Sequence, residues 1–161
     1  MTIDLKKIMI RNVDLEDIPS MIQHRIDYLA EMQGKRDEDF IRQLKNDMND
    51  FFKKSLLNGS FIALVAEHEE SIVAYGGIVL REIPGDFNRS SYLEGDILNM
   101  YTIPEARRQG ISTLILKQLL IEATSMGVTK LALHTSKDGE KLYRSIGFSD
   151  PLYPYLELPL A

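Results

Sequence analysis

Residues 98–115 read Leu98-Asn-Met-Tyr-Thr-Ile-Pro104-Glu-Ala-Arg107-Arg-Gln-Gly110-Ile-Ser112-Thr-Leu-Ile115. An apolar strand pattern breaks at Pro104, which cannot donate to a sheet ladder. A short basic turn follows, and a helical pattern opens at Gly110. Such a turn presents backbone N–H groups at a helix N-terminus, where the helix dipole already favours an anion. Glycine at 110 lets the backbone approach a phosphate where a Cβ would intrude. Arg107 and Arg108 add positive charge beside it. The same residues also fit a plain strand-helix connection with two surface arginines. Neither of the commoner phosphate loops, G-x-G-x-x-G or G-x-x-x-x-G-K-[ST], is present.

Working outward from this turn, Tyr92 to Ile103 reads as a strand, with a polar loop opening before it at Pro84-Gly85-Asp86. Phe61–Glu67 and Ile72–Leu80 read as an antiparallel pair joined at Glu69-Glu70. Further upstream, Ile8, Ile10 and Val13 suggest a first strand. Asp14 or Asp17 then caps a helix that carries Pro19 in its first turn. Met21, Ile22, Ile26, Leu29 and Met32 recur along that helix until Gly34. A charged helix over Asp37–Leu57 is expected to bury Phe40, Ile41, Leu44, Met48, Phe51 and Phe52.

Downstream, a helix is expected from about Arg108 to Met126, closed by Gly127. A short buried strand over Leu131–His134 follows, then a brief helix from Asp138 to Ile146 ended by Gly147. Pro151–Leu158 completes the pattern as a last edge strand. The order β-α-α-β-β-β-α-β-α-β implies a mixed α/β (α+β) sheet with helices on its faces. No repeat or linker divides the chain, so residues 1–161 read as a single domain.

With 161 residues, 44% hydrophobic and 27% charged, the chain has the length and composition of one globular domain. The net charge of −5 disfavours nucleic acid and anionic membranes as partners. The stretch from Arg107 to Arg144 is slightly basic by contrast. No apolar run is long enough to cross a bilayer, and no signal-peptide layout is present, which together suggest a cytoplasmic protein. The absence of cysteine excludes disulfides, thiolate metal sites and cysteine nucleophiles. Three histidines without partnered ligands argue against a metal site.

Arg107-x-x-Gly110-x-Ser112, following Met100-Tyr101-Thr102-x-Pro104, resembles the GNAT acetyltransferase signature [QR]-x-x-G-x-[GA]. Ser112 stands where that family prefers glycine or alanine. A second segment, His134-Thr-Ser136-Lys-Asp-Gly139-Glu-Lys-Leu-Tyr143-Arg-Ser-Ile-Gly147-Phe148, is similar to the family's closing segment. Many members carry asparagine at the position of Ser136 and alanine at that of Gly139. The two signatures cover about residues 94–148.

The resemblance implies a mostly antiparallel sheet of about six to seven strands, helices on both faces, and a parallel pair splayed apart at the cofactor site. It implies acetyl-CoA as co-substrate and a primary amine, of a small molecule or a peptide, as acceptor. Met100, Tyr101, Thr102, Arg107, Arg108, Gln109, Gly110, Ile111, Ser112, Thr113, Ser136, Gly139 and Tyr143 are the implied cofactor-binding residues. The Met100 N–H would stabilise the thioester oxygen as it gains charge, and Tyr143 would protonate the departing sulfur.

Relatives that use a glutamate base on this strand place it where Leu98 stands here. Asp96 and Glu94 share the Leu98 face and are the candidate bases, acting through water; two solvated carboxylates would look the same. His134 is a candidate for proton relay or a structural residue. Arg25, Tyr28 and the loop from Pro84 to Ser91 are candidate acceptor walls by analogy of fold. The edge at Tyr153–Leu158 is a candidate homodimer contact. Two other readings stay open: a non-catalytic acyl-CoA-binding module on the same fold, and a protein-interaction domain built on the Asp37–Leu57 helix.

Overall fold

The structure is a computed structural model and describes residues 2–161. The chain runs β1 (Met9–Asn12), α1 (Ile18–Gln33), α2 (Glu38–Leu57), β2 (Phe61–His68), β3 (Ser71–Pro84), β4 (Ser91–Thr102), α3 (Ile111–Ser125), β5 (Lys130–Ala132) and α4 (Lys137–Ile146), with short 3₁₀ turns at Leu5–Lys7, Leu15–Asp17 and Pro104–Ala106. The five strands form one sheet in the order β1-β2-β3-β4-β5. Neighbours are antiparallel except β4 and β5, which run parallel.

Side-chain alternation along the strands sorts the core into two layers. From β2, Leu64 and Ala66 meet Ile111, Ile115, Leu116 and Leu119 of α3. Phe61, Ala63 and Val65 turn to the other face, against Met21, Ile22 and Ile26 of α1 and Phe52 of α2. Ile115, Leu116 and Leu119 are fully buried, each worth about 1.5–3 kcal/mol in burial. Helices thus cover both faces, as the pattern implied.

The N-terminal turn of α1 is fixed by charge. Asp14 accepts from the N–H groups of Glu16 and Asp17, and Asp17 accepts in return from the Asp14 N–H. The Arg11 guanidinium then binds Asp17 and Glu67 together, at 2.7 and 2.6 Å, tying α1 to β1 and β2.

Four expectations need correction. Residues 150–161 form no strand, so the sheet has five strands rather than six or seven. Leu152, Tyr153, Tyr155, Leu156 and Leu158 stand exposed, and no edge strand exists at Tyr153–Leu158 to pair across a dimer. With nothing laddered on its far side, β5 shortens to three residues and is largely exposed rather than buried. On α2, Phe40 and Phe51 face solvent while Ile41, Leu44, Met48 and Phe52 pack inward, because only a narrow stripe of this helix meets the sheet.

Candidate active site

The strand pairing around β4 changes abruptly where the first signature begins. Tyr101 lies opposite Tyr75 and Leu98 opposite Gly77, so Asn99 and Met100 together face Gly76 alone. This β-bulge holds Asn99 in the left-handed region at φ 58°, a conformation asparagine tolerates better than most residues. An extra residue bends the strand and increases its twist. The parallel ladder between β4 and β5 accordingly stops at Asp96 and Ala132. Beyond it the two chains part, and a cleft of about 340 Å³ opens between Ile97–Tyr101 and Leu133–Ser136.

Helix α1 lies across one side of the cleft with Met21, His24, Arg25, Tyr28 and Leu29, and α4 closes another with Gly139, Leu142 and Tyr143. Met100, Tyr101, Ser112 and Ser136 also line it. Six of the thirteen residues expected to meet the cofactor, with Arg25 and Tyr28, therefore line one space, while Thr102, Arg107, Arg108, Gln109, Gly110, Ile111 and Thr113 stand outside its wall.

α3 reaches the cleft wall with Ser112 of its first turn and is preceded by Gly110 at φ 87°, with no side-chain cap. Arg108 is also left-handed, at φ 61°. Alternating backbone conformations of this kind form a concave nest of N–H groups suited to an anion, and the uncapped first turn at Ile111, Ser112 and Thr113 extends it. A β-carbon on Gly110 would meet only Leu5, at 3.4 Å, so conformation rather than packing calls for glycine there. The turn thus suits an anion.

The two arginines have different surroundings. Arg107 donates to the Thr102 carbonyl at 2.9 Å, binds both oxygens of Glu31 at 2.8 and 3.0 Å, and lies over the Tyr101 ring. It clasps the turn to the end of α1. Arg108 is exposed and makes no ion pair among the described residues, which leaves it able to meet an anion. Gln109 braces the turn, with its side chain accepting from the Ile3 N–H and donating to the Glu105 carbonyl. The Ser112 hydroxyl, the departure from the family pattern, bonds the Thr102 hydroxyl at 2.9 Å and ties α3 to the end of β4.

Ser136 caps α4, accepting from the Gly139 N–H. A β-carbon at Gly139 would press on Thr135 at 3.0 Å and the Tyr143 ring at 3.2 Å, so the glycine lets the ring lie close against the start of its own helix. Tyr143 packs edge-to-face on Phe148. Burial raises the pKa of its phenol above the ordinary tyrosine value, so it is protonated at neutral pH.

The two candidate bases lie elsewhere. Asp96 is bonded to Arg81, and Glu94 to Arg81 and Lys130; neither is part of the cleft wall. His134 reaches the cleft rim but is largely exposed, 3.9 Å from Glu157. The loop after Pro84 is likewise outside the cleft wall. Among the described residues no group of three or more His, Asp or Glu could hold a metal, and no helix is long and apolar enough to cross a membrane.

Three cleft residues escaped the sequence reading. His24 stacks at 5.2 Å from Tyr75 and 5.5 Å from Tyr101, and burial lowers its pKa. Tyr75 and Asn99 also line the cleft. Helical spacing offered one signal, since His24 and Tyr28 stand one turn apart with Arg25 beside them. Nothing in the sequence announced the bulge at Asn99.

Residues 59–150 match the family model described as an acetyltransferase (GNAT) domain. Among solved structures, a predicted acetyltransferase of Clostridium acetobutylicum, solved with acetyl-CoA, is 29% identical with a TM-score of 0.83, over 95% of this chain and 96% of that one. A GCN5-related N-acetyltransferase from Ralstonia eutropha JMP134 is 23% identical with a TM-score of 0.76, over 94% and 98%. Glucosamine-6-phosphate N-acetyltransferase from Arabidopsis thaliana, at 18% identity and a TM-score of 0.67 over 94% and 97%, shares the fold. No curated protein matches the sequence. The family match covers more than half of the residues and includes the turn at Gly110, the splayed β4–β5 pair and α4: the chain belongs to the GNAT acetyltransferase family.

Proposed function

We propose that the protein is an N-acetyltransferase that moves an acetyl group from acetyl-CoA to a primary amine by direct attack within a ternary complex. The observation that carries this reading is one continuous space. It runs from Ser112 in the uncapped first turn of α3, past the bulge at Asn99 and Met100, to the half-buried phenol of Tyr143.

In this reading the N–H groups of 110–113 and the Arg108 side chain bind the diphosphate, and the acyl arm lies along β4. The neutral amine nitrogen attacks the thioester carbonyl carbon. The Met100 N–H donates to the oxygen as negative charge builds there, a contribution of about 3 kcal/mol for one preorganised donor. The carbon–sulfur bond then breaks, and Tyr143 gives its proton to the sulfur. Phenol to thiolate is a modestly uphill transfer, from a reference pKa of about 10 to one of about 8.5.

The amine must also shed a proton. His24 is the base we favour, supported by its place in the cleft wall and by burial, which keeps the imidazole neutral at pH 7. Asp96 and Glu94 would have to act through water from beyond Arg81 and Lys130. A cytoplasmic setting suits the reading. A homodimer, if formed, would use the exposed apolar side chains of 152–160 rather than a strand edge.

The test is to incubate pure protein with acetyl-CoA and a broad panel of amines and to follow free thiol. Amine-dependent thiol release supports the proposal. Acetyl-CoA binding without turnover on any amine would mark a non-catalytic acyl-CoA-binding module instead. Failure to bind acetyl-CoA would remove both.

A further inference from the structure

Arg25 has no task in acetyl transfer as outlined, yet it stands in the cleft wall beside the reacting position. It is half-buried, and its guanidinium donates to the side-chain oxygen of Asn99. Among the described residues no carboxylate lies within ion-pair distance of it. Arg11, Arg42, Arg81, Arg107 and Arg144 each hold at least one carboxylate. The remaining arginines, Arg36, Arg89 and Arg108, are exposed.

A cation withdrawn from water without a counterion is costly, and burial already pulls the Arg25 pKa below the ordinary arginine value. The neighbouring amide deepens the imbalance. An arginine can only donate, so Asn99 must turn its oxygen toward it. That leaves the Asn99 NH2 buried and without a hydrogen-bond partner. Arg25 therefore brings a charge without a counterion, and Asn99 an unpartnered amide, to the same stretch of cleft wall.

We infer that the acceptor amine carries an anionic group, a carboxylate or a phosphate, which Arg25 and the Asn99 amide bind while the amine lies beside Met100. The inference rests on the acetyltransferase reading and names its substrate class. Asn99 directly precedes Met100 in β4, so anion and amine are separated by only a few bonds, as in an α-amino acid or a small amino phosphate. A polyamine or an aminoglycoside would bring a second cation against Arg25 instead.

The experiment uses matched acceptors at saturating acetyl-CoA, read as kcat/KM for thiol release. One pair is an α-amino acid and its carboxamide, a second is O-phosphoethanolamine and ethanolamine, and an aliphatic diamine completes the set. At least one anionic member is expected to exceed its neutral partner by about 10- to 100-fold, and the pair that does so distinguishes carboxylate from phosphate. Arg25→Gln should erase that preference, Arg25→Lys should restore part of it, and acetyl-CoA affinity should hold in both.

Equal or better turnover of the neutral and dicationic amines by the wild type would overturn the inference alone. So would an Arg25→Gln protein that keeps the preference. If Arg25→Gln does not fold, the wild-type pairs still decide. Acetyl-CoA binding with no amine turned over would overturn the acetyltransferase reading, and this inference with it.

Discussion

Gly76→Ala is the substitution whose effect the packing fixes most tightly. A β-carbon on Gly76 would lie 2.5 Å from Cγ2 of Ile115 and 2.6 Å from Sδ of Met100. Carbon atoms in favourable contact sit about 3.5–4.0 Å apart, so a displacement on the order of 1 Å is required. Ile115 is fully buried and stiff at its branched carbon, which leaves α3 and Met100 to move. Overpacking of this kind costs about 1–3 kcal/mol. For a domain of this size each kcal/mol corresponds to about 2–4 °C in Tm.

Met100 also carries the proposed oxyanion donor, so acetyl-CoA affinity and kcat should fall together with stability. Gly77→Ala is the matched control. Its β-carbon would strike the Phe61 ring at 2.5 Å, within the core layer beneath α1 and α2. It should cost comparable stability with a smaller effect on acetyl-CoA binding. Urea unfolding and calorimetric titration of both variants are the assays. A Gly76→Ala protein with wild-type stability, or one destabilised but binding acetyl-CoA normally, would refute the reasoning.

Tyr143→Phe should lower kcat by about 100-fold while calorimetry shows acetyl-CoA affinity unchanged. Because burial raises the Tyr143 pKa, the alkaline fall of the wild-type rate should lie above about pH 10 and disappear in the variant. Arg108→Gln should weaken acetyl-CoA binding by about 3- to 10-fold, with the loss shrinking in high salt; a salt-independent effect would point to altered folding of the turn.

Arg11→Met should cost about 1–2 kcal/mol, reduced from the value for a fully buried pair because Arg11 is partly solvated. The Arg11 guanidinium holds the Asp17 carboxyl below its ordinary pKa. That contribution is therefore complete above about pH 4 and is lost as pH falls through the folded-state value. In urea unfolding the gap between wild type and variant should narrow below pH 4.

How much of this was legible beforehand depended on the range over which each signal acts. Proline at 104, glycine at 110 and the apolar period of 111–125 act locally, so the strand-turn-helix core could be read directly. The apolar runs of 61–67 and 72–80, on either side of Glu69-Glu70, likewise set two antiparallel strands. Residues 151–158 alternate too loosely and are broken by Pro151 and Pro154, and the structure leaves them unpaired. Phe40 and Phe51 were assigned inward because helical spacing defines a face but not how wide a stripe the sheet covers.

In the site, Ser136 shows how one residue type supports two readings, since a serine just before a helix caps it as readily as it meets a ligand. The bulge at Asn99 was invisible because it arises from the register between β3 and β4 and not from either strand alone. His24 and the Arg25–Asn99 pair came into view only once α1 was seen to cross the splayed strands.

The most direct measurement is a structure of the protein crystallised with acetyl-CoA. The account predicts the diphosphate on the N–H groups of residues 110–113, the thioester oxygen at the Met100 N–H, and the sulfur within reach of the Tyr143 hydroxyl. A diphosphate bound elsewhere, or an acyl arm lying outside the space between β4 and Leu133–Ser136, would contradict it.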